Sequence, residues 1–163
     1  MKTKEIKISI SEFDKLDELS AADQELIQVA REIAQQAYAP YSNYQVGSAL
    51  RLEDGTIVSG NNQENASSPL GNCAERTAIF WANANHPNLS IDTIVVTAID
   101  QSRKAALKVS PCGACRQVML EAEHRYKKPI RVILDSANKI EILQSASHLL
   151  PLSFNGDSLK SMG

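Results

Sequence analysis

Cys73-Ala74-Glu75-Arg76 and Pro111-Cys112-Gly113-Ala114-Cys115 contain all three cysteines of this 163-residue chain. A Cys-x-x-Cys pair in the first turn of a helix puts both sulfurs on one face, close enough to share an ion, and Cys73 can bring a third thiolate from a distant segment. Zinc suits such a donor set. Structural zinc sites close the fourth position with another protein ligand, whereas catalytic sites leave it to water, so a count of three leans towards chemistry. Glu75, two residues after a ligand in the same helical turn, can lie beside the open position, take a proton from water and deliver it to a substrate. Three thiolates and a divalent cation leave a net negative charge that would blunt the metal as a Lewis acid. Helix N-termini under both cysteine motifs, and Arg76 donating to sulfur, are expected to draw that charge off. The competing reading is a structural site completed by His86, His124 or His148, none of which has motif spacing.

Outward from the cysteines, further segments stand in order: Ala39-Pro40-Tyr41-Ser42 with Val46-Gly47, Asn62-Gln63-Glu64-Asn65-Ala66, Ser110 through Gln117, and Leu149-Leu150-Pro151 with Phe154. Together with the cysteine motifs they resemble the cytidine deaminases, in the small-subunit form whose zinc is held by three cysteines. The resemblance implies one Zn2+ per chain on Cys73, Cys112 and Cys115, with Arg76 behind the sulfurs and Glu75 as the catalytic proton carrier. It implies hydrolytic deamination of cytidine and deoxycytidine to uridine and deoxyuridine plus ammonia, a reaction of pyrimidine salvage, with Glu75 protonating ring N3 and then the leaving amine. Asn62 and Glu64 correspond to the ribose-binding positions, and an amide with a carboxylate can both donate to and accept from sugar hydroxyls. The backbone at Ala74 corresponds to the segment that binds the pyrimidine carbonyl oxygen. Tyr44 stands where the family usually has Phe, and Phe154 stands on a C-terminal aromatic that reaches the site of a neighbouring subunit. A homotetramer with shared active sites is therefore part of what the resemblance implies. Ser68 departs from the pattern, because many relatives carry Tyr there.

Each of these assignments has a plainer competitor. Asn62 and Glu64 could stabilise their loop through local hydrogen bonds, and Tyr44 and Phe154 could be core residues. Two other functions compete with cytidine deamination. One is deamination of a related small molecule such as a nucleoside antibiotic, given Ser68 at the pocket rim. The other is a non-catalytic, zinc-stabilised binding module, which would have no use for Glu75.

Composition narrows the partners. With 43% hydrophobic and 22% charged residues, the chain suits one globular domain with a real core, and disordered or fibrous classes drop out. A formal charge of -2 gives no general attraction for nucleic acid or anionic membranes. The basic run Arg125-Tyr126-Lys127-Lys128 reads as the solvated end of a helix. No secretory signal or membrane span is visible, and residues 94–99, the most apolar stretch, suit a buried strand. An odd number of cysteines at metal-ligand spacing points to a reducing compartment, with a cytoplasmic location as the expectation.

Residues 1–20 read as an N-terminal extension, in which Ile6-Lys7-Ile8-Ser9-Ile10 alternates like a short strand ahead of the domain or at its edge. The domain proper, 21–163, opens with a helix over 21–38, capped by Ser20, burying Leu26, Ala30, Ile33 and Ala37, and stopped by Pro40. Strands over 46–52 and 56–60 flank Asp54-Gly55, a two-residue hairpin signal. A polar loop over 61–72 leads to a second helix at Cys73, and a strand over 93–99 follows. A third helix over 112–126, strands over 130–134 and 140–143, and a short helix near Leu149 complete the chain. This alternation predicts an α/β fold, a three-layer α/β/α sandwich around a mixed sheet, and the resemblance supplies five strands and the family topology.

Overall fold

The computed structural model describes residues 1–102 and 104–160. Ile94, Val95 and Val96 are all buried, and they alternate between two apolar clusters, Ile94 and Val96 in one and Val95 in the other. A strand buried on both faces belongs in the middle of a covered sheet. β4 (Ile91–Ile99) sits there, between antiparallel β2 (Gln45–Leu52) and parallel β5 (Arg131–Asp135). Outside these, β3 (Ile57–Asn61) pairs with β2, β6 (Ile140–Leu143) with β5, and β1 (Ser11–Phe13) with β6, all antiparallel. Among the described residues the sheet order is β1-β6-β5-β4-β2-β3. On one face Leu26, Ile27 and Ala30 of α1 (Ala21–Ala34) pack against Ala49, Val95 and Ile133. On the other, α2 (Ala74–Asn85) and α3 (Gly113–Tyr126) cover Leu50, Ile94, Val96 and Val132. A short α4 (Asp157–Lys160) ends the described chain.

The sixth strand corrects the expected five, and it comes from the N-terminal extension. It lies downstream of the alternating residues 6–10, for a reason of register. Ser11 pairs with Ile142, so Ile10 comes opposite Leu143, the last residue of β6, and residues before it have no strand to pair with. Ile6, Ile8 and Ile10 are accordingly exposed. Lys139 fastens β1 instead, bridging Glu12 and Glu141.

The end of α1 also differs from expectation, while the hairpin loop is the three residues left between the expected strands. The β2–β3 register leaves Glu53, Asp54 and Gly55 in the loop, a three-residue hairpin in which Gly55, at φ 90°, takes the left-handed position and donates to Leu52 O at 2.9 Å. α1 ends at Ala34, before residue 38, because the next amides turn back to carbonyls three residues away and Tyr38 N bonds Asn62 O at 3.1 Å. No described helix is long and apolar enough to cross a membrane.

Ion pairs attach α1 to the sheet. Arg31 grips Asp135 at 2.7 and 2.8 Å, with Thr97 Oγ1 donating to the same carboxylate at 2.8 Å. Arg131 grips Asp23 at 2.6 and 2.8 Å, and Ser20, the α1 N-cap, accepts from Asp23 N and donates to its carboxylate. α2 also lies close to the sheet. A Cβ on Gly60 of β3 would lie 2.6 Å from Ala78 N and 2.9 Å from Ala74 O, so glycine lets the first turn of α2 rest on the strand backbone. Because β3 and β4 are both antiparallel to β2, they run the same way, and their carboxyl ends open into the loops that lead to α2 and α3. Ligand sites in such folds lie at that end of the sheet.

Asp23 provides a test of the α1 attachment. Burial pushes its carboxyl up, but hydrogen bonds from Arg131 and Ser20, with the charges of Arg131 and Arg51, outweigh burial and leave its pKa lowered. A lowered folded pKa means that the contribution is complete above the unfolded value, near 3.8, and is lost as pH falls through the folded value. Asp23→Asn should therefore cost about 2 kcal/mol at neutral pH. Urea unfolding of variant and wild type across pH should show that gap shrinking in acid, and a gap that stays constant would contradict the assignment.

Candidate active site

Both cysteine motifs open helices, and the helices start side by side. Cys73 is the N-cap of α2, Cys112 is the N-cap of α3, and Cys115 stands in the first turn of α3. The Cys73 and Cys112 sulfurs are 3.8 Å apart, those of Cys112 and Cys115 are 3.4 Å apart, and the three lie within 4.8 Å of one another. Zinc–sulfur bonds of about 2.3 Å in a tetrahedron put sulfurs roughly 3.8 Å apart, so the donor set fits zinc with one position left open. None of His86, His124 and His148 joins the group among the described residues. His86 instead ends α2 against Trp81, and His124 faces Asp157 at 3.7 Å.

The electrostatics favour thiolate at Cys73. Neither N-cap cysteine makes a side-chain cap bond, so both sulfurs remain available beside free helix N–H groups. Arg76 Nη2 donates to Cys73 Sγ at 3.6 Å. A hydrogen bond from Cys115, with others from Arg76 and Cys112, overcomes burial and draws the Cys73 thiol down to about 5. Cys115, donating to Cys73 and buried, is pushed up. Arg76 Nε is buried without a hydrogen-bond partner among the described residues, as befits a cation placed for its charge as much as for its bonds.

Glu75 is 4% exposed. Burial raises its carboxyl above the ordinary glutamate range; its own backbone N–H opposes that rise, and the charge of Cys73 adds to it. A carboxyl poised upward is suited to carrying a proton at neutral pH. It lies in the wall of a cavity of about 660 Å3 lined also by Tyr44, Asn62, Glu64, Ala74, Arg76, Cys73 and Cys112.

Most of the residues singled out in the sequence thus meet in one place, with Cys115 fully buried beside it. Asn62 and Glu64 already have local partners. Asn62 donates to Tyr44 O at 3.0 Å and accepts from Val46 N at 2.7 Å, while Glu64 accepts from Tyr41 N at 2.9 Å and Ser42 N at 3.3 Å. Those bonds fix the loop, and each side chain keeps spare capacity, an amide hydrogen on Asn62 and a second carboxylate oxygen on Glu64. Phe154 is the exception. It does not line this cavity, is 59% exposed, and is held through its carbonyl by Gln117 Nε2 at 3.0 Å. Ser68 lies on the cavity wall where the sequence departs from the family pattern.

Tyr41, Val109 and Ser110 also line the cavity, although none of them has an individual role in the reading of the sequence. Tyr41 and Ser110 sit inside the ordered motifs, which is the signal that could have found them. Val109 carries no such mark; it is simply an apolar residue ahead of the cysteine loop.

Residues 20–128 match the family described as cytidine and deoxycytidylate deaminase zinc-binding region. A cytidine deaminase of Halalkalibacterium halodurans is 45% identical over 98 residues, 60% of this chain and 70% of the relative. A blasticidin-S deaminase of Bacillus cereus is 30% identical over 139 residues, 83% of this chain and 94% of that protein. The crystal structure of a cytidine deaminase from Burkholderia pseudomallei superposes with a TM-score of 0.66 at 39% identity, covering 80% of this chain and 97% of that one. Since the matched region runs from the cap of α1 through both cysteine-bearing helix starts, this chain belongs to the cytidine and deoxycytidylate deaminase zinc-binding family.

Proposed function

We propose that the chain catalyses the zinc-dependent hydrolytic deamination of cytidine and deoxycytidine, releasing ammonia and leaving uridine or deoxyuridine, with one zinc per chain. The observation that carries this reading is the buried Glu75 carboxyl in the same cavity wall as an open three-sulfur cluster. A structural zinc module has no use for that carboxyl.

Zinc on Cys73, Cys112 and Cys115 supplies a Lewis acid that acidifies water near neutral pH. The protein's own groups do the rest. Glu75 takes a proton from the attacking water and delivers it to ring N3 so that C4 becomes more electrophilic; it then takes the remaining proton from the hydroxyl added at C4 and passes it to the amine, so that the C4–N bond breaks, ammonia leaves and the C4 carbonyl forms. Arg76 offsets thiolate charge, which keeps the metal electron-poor. The amide groups at the start of α2, around Ala74, donate to the pyrimidine carbonyl oxygen. Tyr44 packs on the ring, and Asn62 and Glu64 take sugar hydroxyls with their spare capacity.

The cavity lining favours free nucleosides over nucleotides. Its one cation among the described residues, Arg76, is engaged with Cys73, whereas Glu64 and Glu75 are both present. A substrate phosphate would meet carboxylates. A second reading, deamination of a nucleoside antibiotic, is favoured by Ser68 in the cavity wall and by the blasticidin-S deaminase that this chain resembles over nearly its whole length. Loss of ultraviolet absorbance should be followed with cytidine, deoxycytidine, CMP and blasticidin S. Turnover of both nucleosides and not CMP is expected, and turnover of blasticidin S alone would replace this reading by the second.

Glu75→Gln isolates the proton step. Zinc content should stay at that of the wild type while kcat falls by roughly two to four orders of magnitude. Near-normal turnover in a zinc-loaded variant would sink the role given to Glu75.

The active form in this reading is a homotetramer with shared sites. Phe154 stands exposed and outside its own cavity, while Phe80 and Trp81 on α2 are each about half exposed, leaving apolar surface for a neighbour. Covering the cavity mouth would also exclude water and strengthen the charge interactions within. Phe154→Ala should raise KM about five- to tenfold with zinc content intact. An unchanged KM, or sedimentation of the fully active protein as a monomer, would remove the shared-site part of the proposal.

A further inference from the structure

The path by which the chain enters α3 decides where the Cys112 sulfur points, because Cys112 is the N-cap and makes no cap bond to hold itself. In many helices the entry angle is set by an apolar contact between the residue before the N-cap and the fourth helical residue. Here those two residues are Pro111 and Arg116, and a hydrogen bond joins them: Arg116 Nε donates to Pro111 O at 2.8 Å. The same guanidinium donates from Nη2 to Ser110 Oγ at 2.8 Å and from Nη1 to Leu149 O at 2.9 Å. One rigid plane of donors thus reaches three acceptors in two chain segments, the bend that delivers Cys112 and the turn that leads to Phe154.

The geometry points to Arg116 as a positioning residue that sets the Cys112 sulfur for the metal and the Ser110 wall of the cavity for the substrate. Ser110 lines the cavity, and accepting from a cation leaves its own O–H free to turn elsewhere. Pro111 cannot help to fix the bend through an N–H, since it has none, so its carbonyl carries that burden. Lysine cannot substitute. Its ammonium is a single point on a flexible stem, whereas the guanidinium holds its donors in a fixed plane directed at separated acceptors. The substrate half of this inference rests on the deaminase reading, and the metal half rests on the sulfur cluster alone.

Zinc release discriminates this role from a merely stabilising one. Zinc-loaded wild type, Arg116→Lys and Arg116→Ala are challenged with excess chelator, and the visible absorption of the cobalt-substituted proteins is compared. Both variants should release zinc about 10- to 100-fold faster and lose kcat/KM by a similar factor. Their cobalt–thiolate bands should be altered, because the Cys112 sulfur is no longer held. Arg116→Lys with wild-type release and an unaltered cobalt spectrum overturns the inference, even if its Tm falls. Should Arg116→Ala fail to fold, Ser110→Ala removes one acceptor of the clamp and should speed release by a smaller factor; release identical to wild type would again overturn it. If wild type turns over no nucleoside, the deaminase reading fails while the release rates still decide the role of Arg116.

Discussion

Three sulfurs that would share a metal must first be brought together, and thiolates repel one another. The convergence of two helix N-termini at one end of the sheet answers both demands. α2 and α3 start at the ends of loops that leave β3 and β4, which run in the same direction, so their unpaired amides and positive dipole ends face a common space. Cys73 and Cys112, as the two N-caps, occupy that space. Close approach is part of the arrangement, since the absent side chain of Gly60 lets the first turn of α2 settle onto β3. A side chain there would press on the backbone of Ala74 and Ala78 and displace the first turn of α2, which carries Glu75 and follows Cys73.

Both faces of the sheet are held by apolar packing, and one of them adds ion pairs. α1 is attached through bidentate pairs, Arg131 with Asp23 and Arg31 with Asp135, whose planar forks fix helix and strands in register. The opposite face has apolar packing of Ala78, Ile79, Ala82, Met119 and Ala122, small or adaptable residues that let two helices lie close to the strands. Directional bonds therefore add to apolar packing on the α1 face, and small residues on the other face let the helices that carry the cysteine cluster lie close to the strands.

Much of this was legible in the sequence, because its signals are local. Cysteine spacing gave the cluster, the apolar run around Val95 gave the buried central strand, and Ser20 gave the start of α1. What escaped depends on partners distant in the chain. The position of β1 is decided by where β6 ends, and alternation within Ile6 to Ile10 carries no information about that. Phe154 could be picked out but not located, since the hydrogen bond that holds it comes from Gln117 of α3 to its backbone carbonyl.

Arg116 illustrates the same limit inside the site. Read along the chain it is one more cation in the first turns of a helix, where its charge opposes the helix dipole. Only the folded chain reveals what offsets that cost, three hydrogen bonds to Ser110, Pro111 and Leu149. Its neighbour Gln117 bonds Phe154 O, so consecutive residues of α3 hold both ends of the segment from Leu149 to Phe154. The helix that begins with two of the three clustered cysteines is therefore also the platform for the C-terminal segment.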